Sequence, residues 1–144
     1  MTAKIVLAVD GSEHCARATH WCAEHATALG ARVVVVHAVD MPNVMASSSA
    51  IPFVPPPLSP AQLTDIHDVV ARDWCKPLVD AGIEHQVVIS EGRPSEVVME
   101  AAEAAQADLI VCGRRGRGGF AELLLGSTSH ELTHRAQVPL LIVP

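Results

Sequence analysis

Several things this chain lacks narrow its role before any motif is read. It has no apolar run near the ~20 residues a membrane span needs; the longest near the N-terminus, Ile5–Val9, meets Asp10 at once and is too short for a signal segment. Positive charge is scarce. The formal net charge is −6 and the one dense basic cluster is Arg114, Arg115 and Arg117, which argues against a nucleic-acid-binding face. No C-x-x-C pair occurs, and Cys15, Cys22, Cys75 and Cys112 are scattered through apolar segments, as suits reduced, buried thiols. These absences point to a cytoplasmic protein that partners neither membrane nor nucleic acid. Also missing is G-x-x-x-x-G-K-[ST], and no lysine stands near the glycine-rich stretch, which excludes a P-loop nucleotidase.

What is present is a globular composition. With 144 residues, 49% hydrophobic and 18% charged, the chain is expected to form one domain over 1–144 with a substantial core. Ile5–Val9 is a β-branched run ending at Asp10-Gly11-Ser12, the pattern of a strand buried on both faces. Ser12 is a good N-cap, and Ala18, Trp21, Cys22, His25, Ala26 and Leu29 then recur at helical spacing up to Gly30, a natural C′ residue. Arg32–Val39 reads as a second strand closed by Asp40.

Residues Met41–Pro60 break pattern, with three consecutive serines and six prolines. That density excludes a helix or inner strand, and the stretch reads as a flexible flap beside a site. From Ala61 an amphipathic helix, marked by Leu63, Ile66, Val69, Val70, Trp74 and Leu78, runs to about Gly82, with Pro77 expected to bend it. Ile83–Ser90 is a strand whose partial alternation suits a sheet edge. Pro94 opens a helix over Ser95–Ala105 with Val97, Val98, Ala101 and Ala105 inward. Leu109–Cys112 is the fourth strand, Thr128–Ala136 a helix, and Val138–Val143 the last strand. Alternating apolar strands and amphipathic helices predict an α/β fold with a parallel, doubly wound sheet, and a ligand beyond the carboxyl ends of its strands. Setting the first and fourth strands side by side would join Asp10-Gly11-Ser12 to the glycine-rich stretch.

That stretch, Ala107 to Thr128, carries the chemistry. A buried strand stops at Gly113; Gly113, Gly116, Gly118 and Gly119 fall within seven residues, and Gly126-Ser127-Thr128 opens a helix. Glycines allow close backbone approach, and a helix N-terminus favours an anion, so this is a candidate phosphate corner. The bland alternative is a tight strand-to-helix turn. Arg114, Arg115 and Arg117 could pair with phosphates or simply be solvated.

The spacing Gly113-x-x-Gly116, nine residues, Gly126-Ser127 matches G-x-x-G-x9-G-[ST]. With the opening K-I-V-L-A-V-D-G-S, the H-A-V-D after the second strand, and the closing V-P-L-L-I-V-P, the whole chain resembles the universal stress protein family. The resemblance implies a flavodoxin-like three-layer sandwich, a five-stranded parallel sheet of order 3-2-1-4-5, a homodimer through Val138–Val143, and binding of ATP, with or without Mg2+, or a related adenine nucleotide. It implies that Asp10, beside Ala8, Val9 and Gly11, meets the ribose and adenine end, and that Ala38 offers backbone contacts to the base. Gly113, Arg114, Gly116 and Arg117 on one side, and Gly126, Ser127 and Thr128 on the other, would surround the phosphates. The function so implied is a stress-response sensor or regulator. A slow ATPase in the same pocket, or a binder of AMP or cyclic AMP, is the alternative; only Asp10 and Ser127 could serve hydrolysis, so no catalytic residue is assigned.

His130-Glu131-Leu132-Thr133-His134 reads H-E-x-x-H, a zinc pattern. Arg135–Pro144 hold no His, Glu or Asp to supply a third ligand, so the pair is expected on the outside of a helix. Cys112 abuts the loop but is expected to be an inert strand-end thiol.

Overall fold

The computed structural model describes residues 2–40, 56–116 and 124–144. Five strands, β1 (Ala3–Ala8), β2 (Ala31–Val39), β3 (His85–Glu91), β4 (Leu109–Gly113) and β5 (Leu140–Val143), form one sheet of order β3-β2-β1-β4-β5. Every pairing is parallel, with Ile5 beside Val33 on one flank and Leu109 on the other. This is the flavodoxin-like order, and the expected adjacency of the first and fourth strands is present. The expectation of an edge for the third strand holds too, since among the described residues β3 pairs only with β2.

Helices cover both faces because the inner strands carry unbroken apolar runs, Ile5–Ala8, Val33–Val36 and Leu109–Cys112. The helices are α1 (Glu13–His25), α2 (Pro60–Val69), α3 (Lys76–Asp80), α4 (Pro94–Ala105) and α5 (Ser127–Arg135). On one face Ile5, Leu7, Val33, Val35 and Val111 pack with Ala18 and Cys22 of α1 and Leu78 of α3. On the other, Val6, Val34, Val36, Ile110 and Cys112 pack with Val97, Val98 and Ala102 of α4 and Leu132 of α5. Val97 and Val98 are buried and Ala101 and Ala105 pack half-buried against this core, as expected, while Ala102 is the most buried alanine of α4.

Three helical segments close alike. Ala31 N–H reaches Ala26 O and Gly30 N–H reaches Thr27 O; the same pair of bonds links Ile83 and Gly82 to Leu78 and Val79, and Ala107 and Gln106 to Ala102 and Glu103. Gly30, Gly82 and Gln106 hold positive φ, the left-handed residue that this C-terminal motif requires. Past His25 a last turn, in which Leu29 N–H still reaches His25 O, carries α1 to Gly30, the expected C′ residue, and leaves Leu29 exposed.

The helix expected from Ala61 to Gly82 differs in two ways. It starts one residue earlier, because Ser59 and Gln62 form a reciprocal capping box and Pro60 takes the first position, where its missing N–H costs nothing. It is also interrupted: Val70–Trp74 is a π-helical turn in which Cys75 N–H bonds Val70 O, ahead of Pro77 at the start of α3. The expected bend at Pro77 is thus expressed upstream, where the regular ladder has already been given up. Residues 41–55, most of the expected flap, lie outside the described residues.

One contact fixes how α1 meets the sheet. A Cβ on Gly113 would lie 2.6 Å from the His14 carbonyl carbon and 2.8 Å from Cys15 N, both backbone. Only glycine lets the first turn of α1 rest on the end of β4. We predict that Gly113→Ala lowers unfolding free energy by about 1–3 kcal/mol, the usual cost of overpacking. Urea titration checks this, and an unchanged midpoint would contradict it.

Candidate functional site

At the carboxyl ends of β1, β2 and β4 lies a cavity of about 780 Å³. This is the size range of small-molecule sites, at the crossover where doubly wound sheets hold ligands. Three backbone segments build its rim. After β1, Asp10 Oδ1 accepts the Ser12 N–H at 2.8 Å, and Gly11 takes φ +78° to complete the turn. Ser12 Oγ in turn accepts the Cys15 N–H at 3.3 Å, so the same turn caps α1.

After β4, Arg114 is a backbone hub. Its N–H donates to Val143 O at 2.8 Å, and its carbonyl accepts the Gly126 N–H at 2.9 Å and the Ser129 hydroxyl at 2.7 Å. The start of α5 is thereby clamped against the segment 114–116. The fit is close: a Cβ on Gly126 would stand 3.1 Å from Arg115 Cα, and one on Gly116 would stand 2.2 Å from Asp10 Oδ2. The Asp10 carboxylate therefore lies directly over Gly116 and bridges the β1 turn to the glycine-rich loop.

The first intrahelical bond of α5 is His130 N–H to Gly126 O, and the N-cap residue Gly126 has no side chain to cap this end. The N–H groups of Ser127, Thr128 and Ser129 consequently have no acceptor within the helix. All three residues line the cavity, facing Gly116 and Arg115. Partial positive charge at the helix start, with Arg115 also in the lining, makes this corner suited to an anion.

The thiols at the rim are silent. Burial and then the Asp10 charge push Cys15 up to about 12, and burial pushes Cys112 to about 11. Neither forms the thiolate that reactivity needs near neutrality, as expected for Cys112.

A family model, the universal stress protein family, matches residues 1–144. A relative from Thermus aquaticus, "Universal stress protein in QAH/OAS sulfhydrylase 3'region", is 36% identical over 141 residues, covering 96% of each chain. The chain belongs to the universal stress protein family. Among solved structures, a universal stress protein in complex with cAMP superposes with TM-score 0.70 at 24% identity, over 99% of this chain and 96% of that one. The universal stress protein from Archaeoglobus fulgidus in complex with dAMP gives 0.68 at 19% identity, over 100% and 98%.

Of the residues that the family motif singled out, Ala8, Val9, Asp10, Ala38, Gly113, Gly116, Gly126, Ser127 and Thr128 come together around the cavity. Gly11 shapes the turn but faces a neighbouring recess between α1 and α3. Arg114 acts through its backbone, and it is Arg115 whose residue lines the cavity. Arg117 lies outside the described residues. Gly113 serves helix packing, as its clash with α1 shows, in addition to lining the floor.

Two residues that sequence reasoning missed stand on the β2 side. His37 Nδ1–H donates to Val9 O at 2.8 Å, and Trp74 meets the His37 ring edge-on at 5.0 Å; both line the cavity. His37 was detectable only as part of the H-A-V-D segment. Trp74 occupied an apparent core position of an amphipathic helix, and nothing in the spacing betrayed the π-helical turn.

The raised thiols give a sign to the alkaline stability of this universal stress protein. Folded pKa values near 12 for Cys15 and Cys22 and 11 for Cys75 and Cys112 exceed the ordinary 9.0. Their contribution is whole below the unfolded value and is lost as pH rises through the folded ones. We expect the urea midpoint to fall between about pH 9 and 11, and to fall less steeply in Cys22→Ala. Parallel slopes for the two proteins would refute this.

Proposed function

We propose that this universal stress protein binds an adenine nucleotide, with the phosphates at the start of α5 and the base toward Ala38 and Val39. One observation carries the reading: the uncapped N-terminus of α5 opens on the cavity opposite Gly116 and Arg115. The donor set suits phosphate oxygens, which need several convergent N–H groups and close backbone approach. Relatives of the same fold solved with cAMP and dAMP support the ligand class. ATP is the form we favour, because the motif G-x-x-G-x9-G-[ST] is kept at every position. Mg2+ would arrive with the polyphosphate and be held chiefly by it, with hydroxyl or carboxylate oxygens as secondary ligands.

The role we infer is regulatory rather than catalytic. The carboxylate at the loop, Asp10, is already engaged by the Ser12 N–H, a poor arrangement for a general base. Asp10 lies against Gly116 as well as at the end of β1, so we propose that it borders both the ribose and the phosphate ends of the ligand. We further propose a homodimer through β5, which among the described residues pairs with β4 alone and whose residues are all half-buried.

Mass analysis of ligand released from the purified protein tests the reading directly. Recovery of an adenine nucleotide is expected. A protein that carries none, and binds neither ATP, AMP nor cAMP by calorimetry, would sink it. Gly116→Ala, whose methyl must displace the Asp10 carboxylate, is expected to weaken ATP binding at least about tenfold, or ~1.4 kcal/mol. Light scattering at micromolar concentration should show the dimer mass, and a monomer would dispose of the β5 interface.

A further inference from the structure

The H-E-x-x-H segment on α5 has a use unrelated to metal. His130 and His134 are exposed, their rings edge to face at 4.8 Å, while the acid between them turns inward. Glu131 Oε2 accepts the hydroxyl of Ser95, a residue only 3% exposed, at 2.5 Å. Its Oε1 accepts from the Arg93 guanidinium, and Arg135 stands 3.6 Å away one turn on. Ser95 and then Arg93 hold this carboxyl below its ordinary range, as a carboxylate engaged by donors should be.

These partners sit at one place in the fold. Arg93 is the N-cap residue of α4 and Ser95 lies in its first turn; Pro94, between them, and Val98, one turn further, line the cavity. The start of α5 lines the same cavity. Glu131 lies one turn into that helix and ties it to the first turn of α4. Toward the glycine-rich loop the helix start is held by the Ser129 hydroxyl and the Gly126 N–H, both on Arg114 O, and a longer ion pair, Arg135 with Glu96 at 3.7 Å, also joins α5 to α4. The helix start is therefore held from two directions, by Ser129 toward the loop and by Glu131 toward α4.

We infer that Glu131 is a positioning residue for the anion corner: by fixing α5 against Ser95 and Arg93, it sets where the N–H groups of Ser127 and Thr128 point. This rests on the nucleotide reading given above and deepens it by naming what aims the phosphate donors. Glu131 touches no ligand itself. Its effect should therefore scale with the phosphate, not with the nucleoside.

The test compares AMP with adenosine, which share base and ribose and differ by the phosphate. Calorimetry is run on the full-length protein, on Glu131→Ala and Glu131→Gln, and on Ser95→Ala as a second break of the same tie. AMP affinity is expected to fall about tenfold in Glu131→Ala, the order of one charged hydrogen bond, while adenosine affinity stays within about twofold. Retained adenosine binding also certifies that the variant is folded. Glu131→Gln keeps an oxygen acceptor for Ser95 and should recover part of the loss; Ser95→Ala should reproduce it in part. Equal losses for AMP and adenosine would mean a general structural role and overturn the inference, as would unchanged AMP affinity in both Glu131→Ala and Ser95→Ala. If the unaltered protein binds neither ligand, the nucleotide reading falls and takes the inference with it; binding by that protein with any contrary variant pattern removes the inference alone.

Discussion

The rim of the sheet depends on a backbone-to-backbone contact, that of the first turn of α1 against Gly113 at the end of β4. A side chain at 113 would overlap the peptide between His14 and Cys15 by more than van der Waals packing tolerates. Because β1 and β4 are neighbours, seating α1 there places the Asp10-Gly11-Ser12 turn over residues 114–116. The Asp10 carboxylate then closes on Gly116, and Ser12 reaches the Arg115 carbonyl. Arg114, held between β5 and α5, passes the same constraint to the next strand and helix. One missing methyl group therefore organises elements far apart in the chain.

The charge balance at this rim is local. A chain of net charge −6 offers little general attraction to anions. Attraction must come from oriented dipoles, and α5 supplies them without a side-chain cap competing for its N–H groups. Anchoring such a helix matters more than charging it, since a dipole that can swing contributes little. That is why the ties through Ser129 and Glu131, two residues apart on α5, carry more weight than the surface ion pairs elsewhere, such as Arg17 with Glu13 or Lys76 with Asp80.

Much of this was legible in the chain itself. Strands buried on both faces leave unbroken apolar runs, so β1, β2 and β4 announce themselves, and the alternation in β3 marks it as an edge. Asp10 and Gly126 sit at strand and helix ends, where pattern changes are abrupt. What was hidden is whatever depends on contacts between distant segments. Gly113 reads as a loop glycine until α1 is seen to rest on it. Glu131 reads as part of an outward-facing H-E-x-x-H stretch until Ser95 and Arg93 arrive from α4. Ala102 and Ala101 are equivalent by composition, and only packing separates them. His37 and Trp74 escaped for the same reason: their meeting joins a strand to a helix that follows the long proline-rich stretch.

The π-helical turn at Val70–Trp74 has a consequence for the clocking of that helix. A regular α-helix advances about 100° per residue, so a turn that holds one extra residue resets the phase of everything after it. Val70, Cys75 and Leu78 are all fully enclosed although their spacings of five and three suit no uninterrupted α-helix. Trp74, four residues after Val70, is the position a regular helix would have sent into the core. The slip sends Cys75 there in its place and leaves the indole at the cavity wall. A local defect in hydrogen bonding is thus a gear: it lets one helix serve the hydrophobic interior and the ligand cavity with different residues.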